Sequence, residues 1–222
     1  MTIDELYLYI LDTGSSARRD GNTITARGYL YLERLTTLPE GVSISAWGNL
    51  FLGKLTTLPA GVTLSAGRYL DLGILTTLPE GVTISSGGNL NLRKLTTLPA
   101  GVTLTAGGYM DLMSLTTLSP GVTISAGHYL FLRSLTTLPE GATLTAGGDL
   151  ELQSLTTLPE SVTLSASGLC YGNFSGPYRG LTLASYDGIV SELVGEPKMV
   201  GEYAVQRANY FLAAGRSDRA HY

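Results

Sequence analysis

Asp71, Asp111 and Glu151 recur at 40-residue intervals along the 222-residue chain. Two carboxylates roughly 6.5–9.5 Å apart are the acid and base of inverting glycoside hydrolysis. If every 20 residues make one turn of stacked strands, two turns separate each pair, about 9.5 Å. That is the upper end of the catalytic range. A ladder produces regular spacings at every position, however, and an open sheet face offers no cleft that excludes water. No catalytic residue is therefore expected, and the chain reads as a non-enzyme.

Other chemistry is thinly represented. His128 and His221 are the only histidines, and neither falls in a cluster with carboxylates or with Cys170. A zinc site needs three or four such ligands, so neither a metal nor a cofactor is expected. The glycine pairs, such as Gly87-Gly88, lack the spacing and the lysine of a phosphate-binding loop. Cys170 is the single cysteine, which rules out an internal disulfide, and a buried structural thiol suits it best.

Recognition is better supplied. One set of positions, 20 residues apart, reads Tyr29, Asn49, Tyr69, Asn89, Tyr109, Tyr129 and Asp149. Two residues on, the set reads Tyr31, Phe51, Asp71, Asn91, Asp111, Phe131 and Glu151. Trp47, Lys54, Arg68, Arg93, Lys94, His128 and Arg133 flank them. Tyrosine, tryptophan and arginine dominate binding hot spots. Cross-strand aromatic pairs also stabilise a sheet without any partner. Because exposed Phe51 and Phe131 are costly otherwise, the candidate partner-binding set is Tyr29, Tyr31, Trp47, Asn49, Phe51, Tyr69, Asp71, Asn91, Tyr109, Asp111, Tyr129, Phe131, Asp149 and Glu151.

What must position these residues is a repeat. LTTL begins at Leu35, Leu55, Leu75, Leu95, Leu115, Leu135 and Leu155, with no insertion between copies. A typical unit, residues 87–106, is GGNLNLRKLTTLPAGVTLTA. Leu90 and Leu92 flank Asn91, and Val102, Leu104 and Ala106 flank Thr103 and Thr105. This alternation marks strands with one side buried. Pro99-Ala100-Gly101 and Gly107-Gly108 mark corners. Like stacks on like: Leu30, Leu50, Leu70, Leu90, Met110, Leu130 and Leu150 form one inner column. Leu32 to Leu152 form a second, and Val42 to Val162 a third with Ala142 as its exception. A single turn cannot bury these side chains, so neighbouring turns must.

The fold class expected is all-β: a β-solenoid of about eight 20-residue coils with a small non-repeating C-terminal cap. A short leucine-rich-repeat-like solenoid is the alternative. The solenoid domain spans 1–184, with an N-terminal cap coil at 1–26. There Leu6-Tyr7-Leu8 parallels Leu30-Tyr31-Leu32, and Gly14 to Gly21 reads as a loop exposing Arg18 and Arg19. Residues 185–222 carry more charge and form a cap or interaction segment suited to self-association.

Composition bounds the partners. Hydrophobic residues make up 44% of the chain, charged residues 14%, and the formal net charge is −4. That balance argues against a nucleic-acid binder working through phosphate contacts. A DNA mimic about 40 Å long would itself need on the order of 20 negative charges. The first ten residues lack the basic start and apolar run of a signal peptide, and no stretch approaches the roughly 20 apolar residues of a membrane span. A cytoplasmic protein with a protein partner is expected; the alternatives are an ice-binding solenoid or a carbohydrate-binding one using the Tyr/Phe face, and last a glycan-active enzyme.

A second outer surface is uniform. Ser43, Thr63, Thr83, Thr103, Thr123, Thr143 and Thr163 form one column, and Ser45, Ser65, Ser85, Thr105, Ser125, Thr145 and Ser165 another. Spacings of about 4.8 by 6.7 Å resemble the faces of ice-binding β-solenoids. Threonine is also simply a good strand former.

The phrase LTTLPEGVTISSGGNLNLRK, residues 75–94, resembles the short leucine-rich-repeat-like units of phage, prophage and some bacterial proteins. The resemblance covers about residues 28–166, and the tail YFLAAGRSDRAH, residues 210–221, resembles the ends of phage accessory proteins with such repeats. The chain reads LxLxxLxxLP where leucine-rich repeats read LxLxxNxLxxLP. It is two residues shorter and lacks the inner-ladder Asn, which favours a tighter β-helix over a horseshoe. The resemblance implies an origin in a mobile element and a role against a host system. It carries over no catalytic residue.

Overall fold

The computed structural model describes residues 1–157, 159, 161–168, 170–172, 181–184 and 190–192. Each repeat makes one turn of a β-solenoid, about seven turns in all. Two strands and a bent segment form the three sides of each turn. The longer strand, such as Thr103–Ala106, belongs to an 11-stranded sheet. The shorter, such as Met110–Asp111, belongs to an 8-stranded sheet. The LTTL segment forms the third side and pairs as a two-residue strand only at Thr97–Leu98 and Thr117–Leu118 among the described residues. Among the described residues no repeat contains a helix, and the stacked parallel turns form the expected β-solenoid.

Stacking is parallel and in register. Thr103 lies beside Thr83 on one side and Thr123 on the other, and Met110 beside Leu90 and Leu130. A 20-residue period without insertions produces this alignment, because each position meets its own equivalent one turn later. The Leu90 and Leu92 amides donate to the Tyr109 and Asp111 carbonyls at 3.0 and 2.9 Å. The inner columns form one continuous core, with Leu50, Leu70, Leu90, Leu92 and Leu112 wholly buried. The corner, Pro-x-Gly in these copies except Ser119-Pro120-Gly121, turns through a left-handed glycine at Gly41, Gly61, Gly81, Gly101, Gly121 and Gly141, φ 63–72°. Only glycine adopts that conformation freely. The last copy has Ser161 there, and no described non-glycine residue has positive φ. The corner therefore takes another path in that copy.

The N-terminus corrects the strand expected at Leu6-Tyr7-Leu8. Residues Ile3–Asp12 form helix α1, not a strand. The Leu6-Tyr7-Leu8 alternation is only three residues long and lacks a Gly/Pro corner. Against it stand a Thr2–Glu5 capping box, acidic Asp4 and Glu5 in the first turn, and buried Leu6 and Ile10 spaced four apart. The expected loop from Gly14 to Gly21 contains strand β1, Ala17–Asp20, antiparallel to β2, Thr23–Ala26. Arg18 is exposed as expected, but Arg19 is half-buried and pairs with Asp4 of α1. Reversing the chain at the first rung covers an edge that would otherwise template aggregation. At the other end, Val190–Glu192 runs antiparallel to Leu181–Ala184. The rest of the proposed 185–222 segment lies outside the described residues.

Candidate binding face

Sequence variation and charge converge on the 8-stranded sheet. Of the three sides, the 11-stranded sheet presents only Thr and Ser outward within the repeats, and the LTTL side presents only Thr. Seven cations lie between residues 21 and 172: Arg27, Arg34, Lys54, Arg68, Arg93, Lys94 and Arg133. All stand on the two corners that border the 8-stranded sheet. Among the described residues, the opposite corner carries Glu40, Glu80 and Glu140.

The structure places the whole candidate set on this sheet or at its rim. Its middle, however, is tied into the scaffold. Asp71 Oδ1 accepts from the Gly73 amide at 3.0 Å and from Asn91 Nδ2 at 2.8 Å. Asn91 Oδ1 accepts from the Arg93 amide, and Asp111 Oδ1 from the Met113 amide. These are Asx turns, in which a short polar side chain bonds the backbone two residues on. Asp71, Asn91 and Asp111 thus brace the corner after their strand. The Asp/Asn-Leu-x spacing ahead of a bend was the sequence signal for this. Asn89, on the neighbouring column, accepts from the Tyr109 amide one turn later at 3.1 Å.

Aromatic residues occupy the column on either side of this braced strip. Tyr31 and Phe51 stack with centroids 5.0 Å apart and planes within 7°. Tyr69 meets Phe51 edge-on at 5.8 Å, and Tyr29 lies 6.4 Å from Tyr31. In the second group Phe131 lies 6.2 Å from both Tyr109 and Tyr129. Phe51 and Phe131 are consequently half-buried instead of fully exposed, and the tyrosines carry much of the accessible aromatic surface. Tyr31 is 58% exposed and Trp47 62%. Burial, with the Asp71 charge second, raises the Tyr69 phenol above its ordinary pKa, so it stays protonated.

Two charged contacts complete the face. Arg133 forks onto Glu151, its Nη2 3.1 Å from Oε1, and this bond raises the guanidinium pKa further. Arg27 lies over the Trp47 ring, 5.6 Å from its centroid. Sequence reasoning missed Arg27. The signal was present, because positions 27 and 47 hold Arg and Trp where Gly67, Gly87, Gly107, Gly127 and Gly147 follow. Asn49, Asp149 and Glu151 are half-buried and line the same sheet.

Among the described residues, no group of three or more His, Cys, Asp or Glu side chains is placed to hold a metal ion. No helix there is long and apolar enough to cross a membrane. Cys170 is half-buried against the core instead of fully buried as expected, yet desolvation pushes its thiol up to about 12. At pH 8 only about one folded thiol in 10⁴ is ionised, against roughly a quarter at the unperturbed value near 8.5. Labelling by iodoacetamide at pH 8 should be slow in the native protein and at least 100-fold faster in denaturant. Equal rates in the two states contradict the desolvated thiol.

Fold and face together define a β-solenoid repeat protein with one specialised side. Comparison with known protein families, curated proteins and solved structures finds no match.

Proposed function

We propose that this protein is a non-enzymatic binding scaffold, encoded by a phage or related mobile element, that captures a host macromolecule on its variable face. One observation carries the reading: aromatic side chains and the cations of the repeats converge on one of three sides, while the other two stay uniform. A rigid, in-register sheet presents that side with little ordering cost on association. Blocking a host protein by occupancy, as in evasion of host defence, is the corresponding mechanism. It requires no cofactor and acts in the cytoplasm. The mobile-element origin rests on the resemblance of the repeat. Because Tyr31 and Phe51 turn their ring faces toward each other, the face offers ring edges, which suits a protein surface better than a stacked sugar.

The test is capture from a bacterial host lysate, analysed by mass spectrometry, with wild type and the Phe51→Ser/Phe131→Ser variant. Each aromatic contact contributes about 0.5–1.5 kcal/mol, so the variant should melt several degrees lower yet remain folded. Capture should fall at least tenfold. Undiminished capture removes this face as the site.

The Thr/Ser side supports one second reading. Its rungs align from Thr23 to Thr163 without a charged residue, a neutral hydroxyl lattice suited to ice. Thermal hysteresis in solution would favour that reading, and its absence at millimolar protein would remove it.

A further inference from the structure

The central turns of the variable face are partly symmetric about their midpoint, though Asn49 against Tyr129 breaks the pattern. The column from Phe51 to Phe131 reads Phe, Asp, Asn, Asp, Phe, a palindrome centred on Asn91. Tyr69 and Tyr109 lie symmetrically about Asn89 in the neighbouring column. Charge is antisymmetric about the same rung. On the sheet and its two corners, the first three turns carry Arg27, Glu33, Arg34, Lys54, Arg68 and Asp71, a net +2 (four cations less two anions). The fifth to seventh carry Asp111, Arg133, Asp149 and Glu151, a net −2 (one cation less three anions). The central turn adds Arg93 and Lys94.

A two-fold interface brings residue i against j and j against i, so it favours a surface whose two halves complement each other when reversed, as Phe51 with Phe131 and the basic with the acidic end do here. We propose that the occupant of this face, in the absence of another partner, is a second copy of the chain, packed antiparallel about a dyad at Asn91. Phe51 then meets the partner's Phe131, and Tyr29 and Tyr31 meet the partner's Asp149 and Glu151. Each basic first end lies against an acidic last end. Asp71 and Asp111 of the two copies approach one another as four carboxylates. They already accept backbone amides, and the four central cations, Arg93 and Lys94 from each copy, offset their charge. The sheet is roughly 30 Å by 15 Å, so two copies remove about 1,000 Å² from water, near the lower limit for a specific interface. A weak, concentration-dependent dimer follows.

This inference rests on the variable sheet being the binding face, and it names that face's partner. Sedimentation velocity from 1 to 500 µM tests it on the full chain. Wild type should shift from monomer to dimer with rising concentration. Asp149→Lys/Glu151→Lys should weaken the dimer at least tenfold, and adding Arg27→Glu/Arg34→Glu to the same chain should restore it. Circular dichroism melts confirm that each variant folds. A wild type monomeric throughout overturns the proposal. So does a dimer that is indifferent to these reversals, or one that the double reversal fails to rescue. If the chain stays monomeric but still captures a lysate partner through Phe51 and Phe131, the dimer fails while the binding face stands. If a reversal-sensitive dimer forms but nothing is captured, the second copy is supported and the host target is not.

Discussion

Replacing Leu92 with Asp should abolish the cooperative thermal transition of the solenoid at pH 7. Leu92 is wholly buried between Leu72 and Leu112, in a column of leucines. Losing the leucine side chain costs about 2–5 kcal/mol. A carboxylate without a partner in that column adds several kcal/mol more. Native stability is itself only about 5–15 kcal/mol, and the turns depend on their neighbours, so damage at the fourth turn spreads both ways. The effect has a pH sign. Burial raises the folded carboxyl's pKa above its unfolded value near 3.9, so the variant is least impaired below pH 4 and loses stability as pH rises. Leu92→Met is the control and should cost less than about 1.5 kcal/mol, as Met110 already occupies an inner column. Circular dichroism melts at pH 3.5 and 7 read all three. A wild-type melt for Leu92→Asp at pH 7 would falsify the assigned burial.

The second large effect is expected at Gly107. A Cβ there would fall well under 3.0 Å from the Gly87 carbonyl oxygen, one turn back, and both groups are backbone. Gly67, Gly87, Gly127 and Gly147 face the same obstruction from the turn before them. No side-chain rotation relieves it, so the backbone must shift locally, as it can where Trp47 and Ser167 stand in the same column. Gly107→Ala should therefore cost about 3 kcal/mol, the upper range for overpacking. Gly121 is a contrasting case: its φ is +72° but a Cβ would meet nothing within 4 Å. Gly121→Ala should cost only about 1–2 kcal/mol, the left-handed penalty. At roughly 2–4 °C per kcal/mol for a chain of this size, the two melts should be resolvable. If Gly121→Ala proves the more damaging, close approach of the turns is not what keeps glycine at Gly107.

Both variants probe what the repeat makes legible. The inner columns follow from alternation alone, because a side chain two residues along a strand returns to the same side. The in-register stack follows from a constant period. The N-terminal helix was less visible: Leu6-Tyr7-Leu8 satisfies a strand pattern locally, and the capping box that decides otherwise lies outside the repeat. The candidate face was legible as a set of varying columns, but the duties within it were not. Asp71, Asn91 and Asp111 vary like the aromatics, yet their side chains hold backbone amides.

The sequence by itself determined the solenoid, its 20-residue turn, its core columns and the side on which variation gathers. These depend on period and polarity, which are properties of the linear chain. The tertiary structure decided which varying residues brace corners and which pack ring against ring, and that Arg27 reaches over Trp47. It also decided that Phe51 and Phe131 are half-covered. Those outcomes depend on distances across turns, where side chains 20 residues apart become nearest neighbours, and no spacing along one turn specifies them.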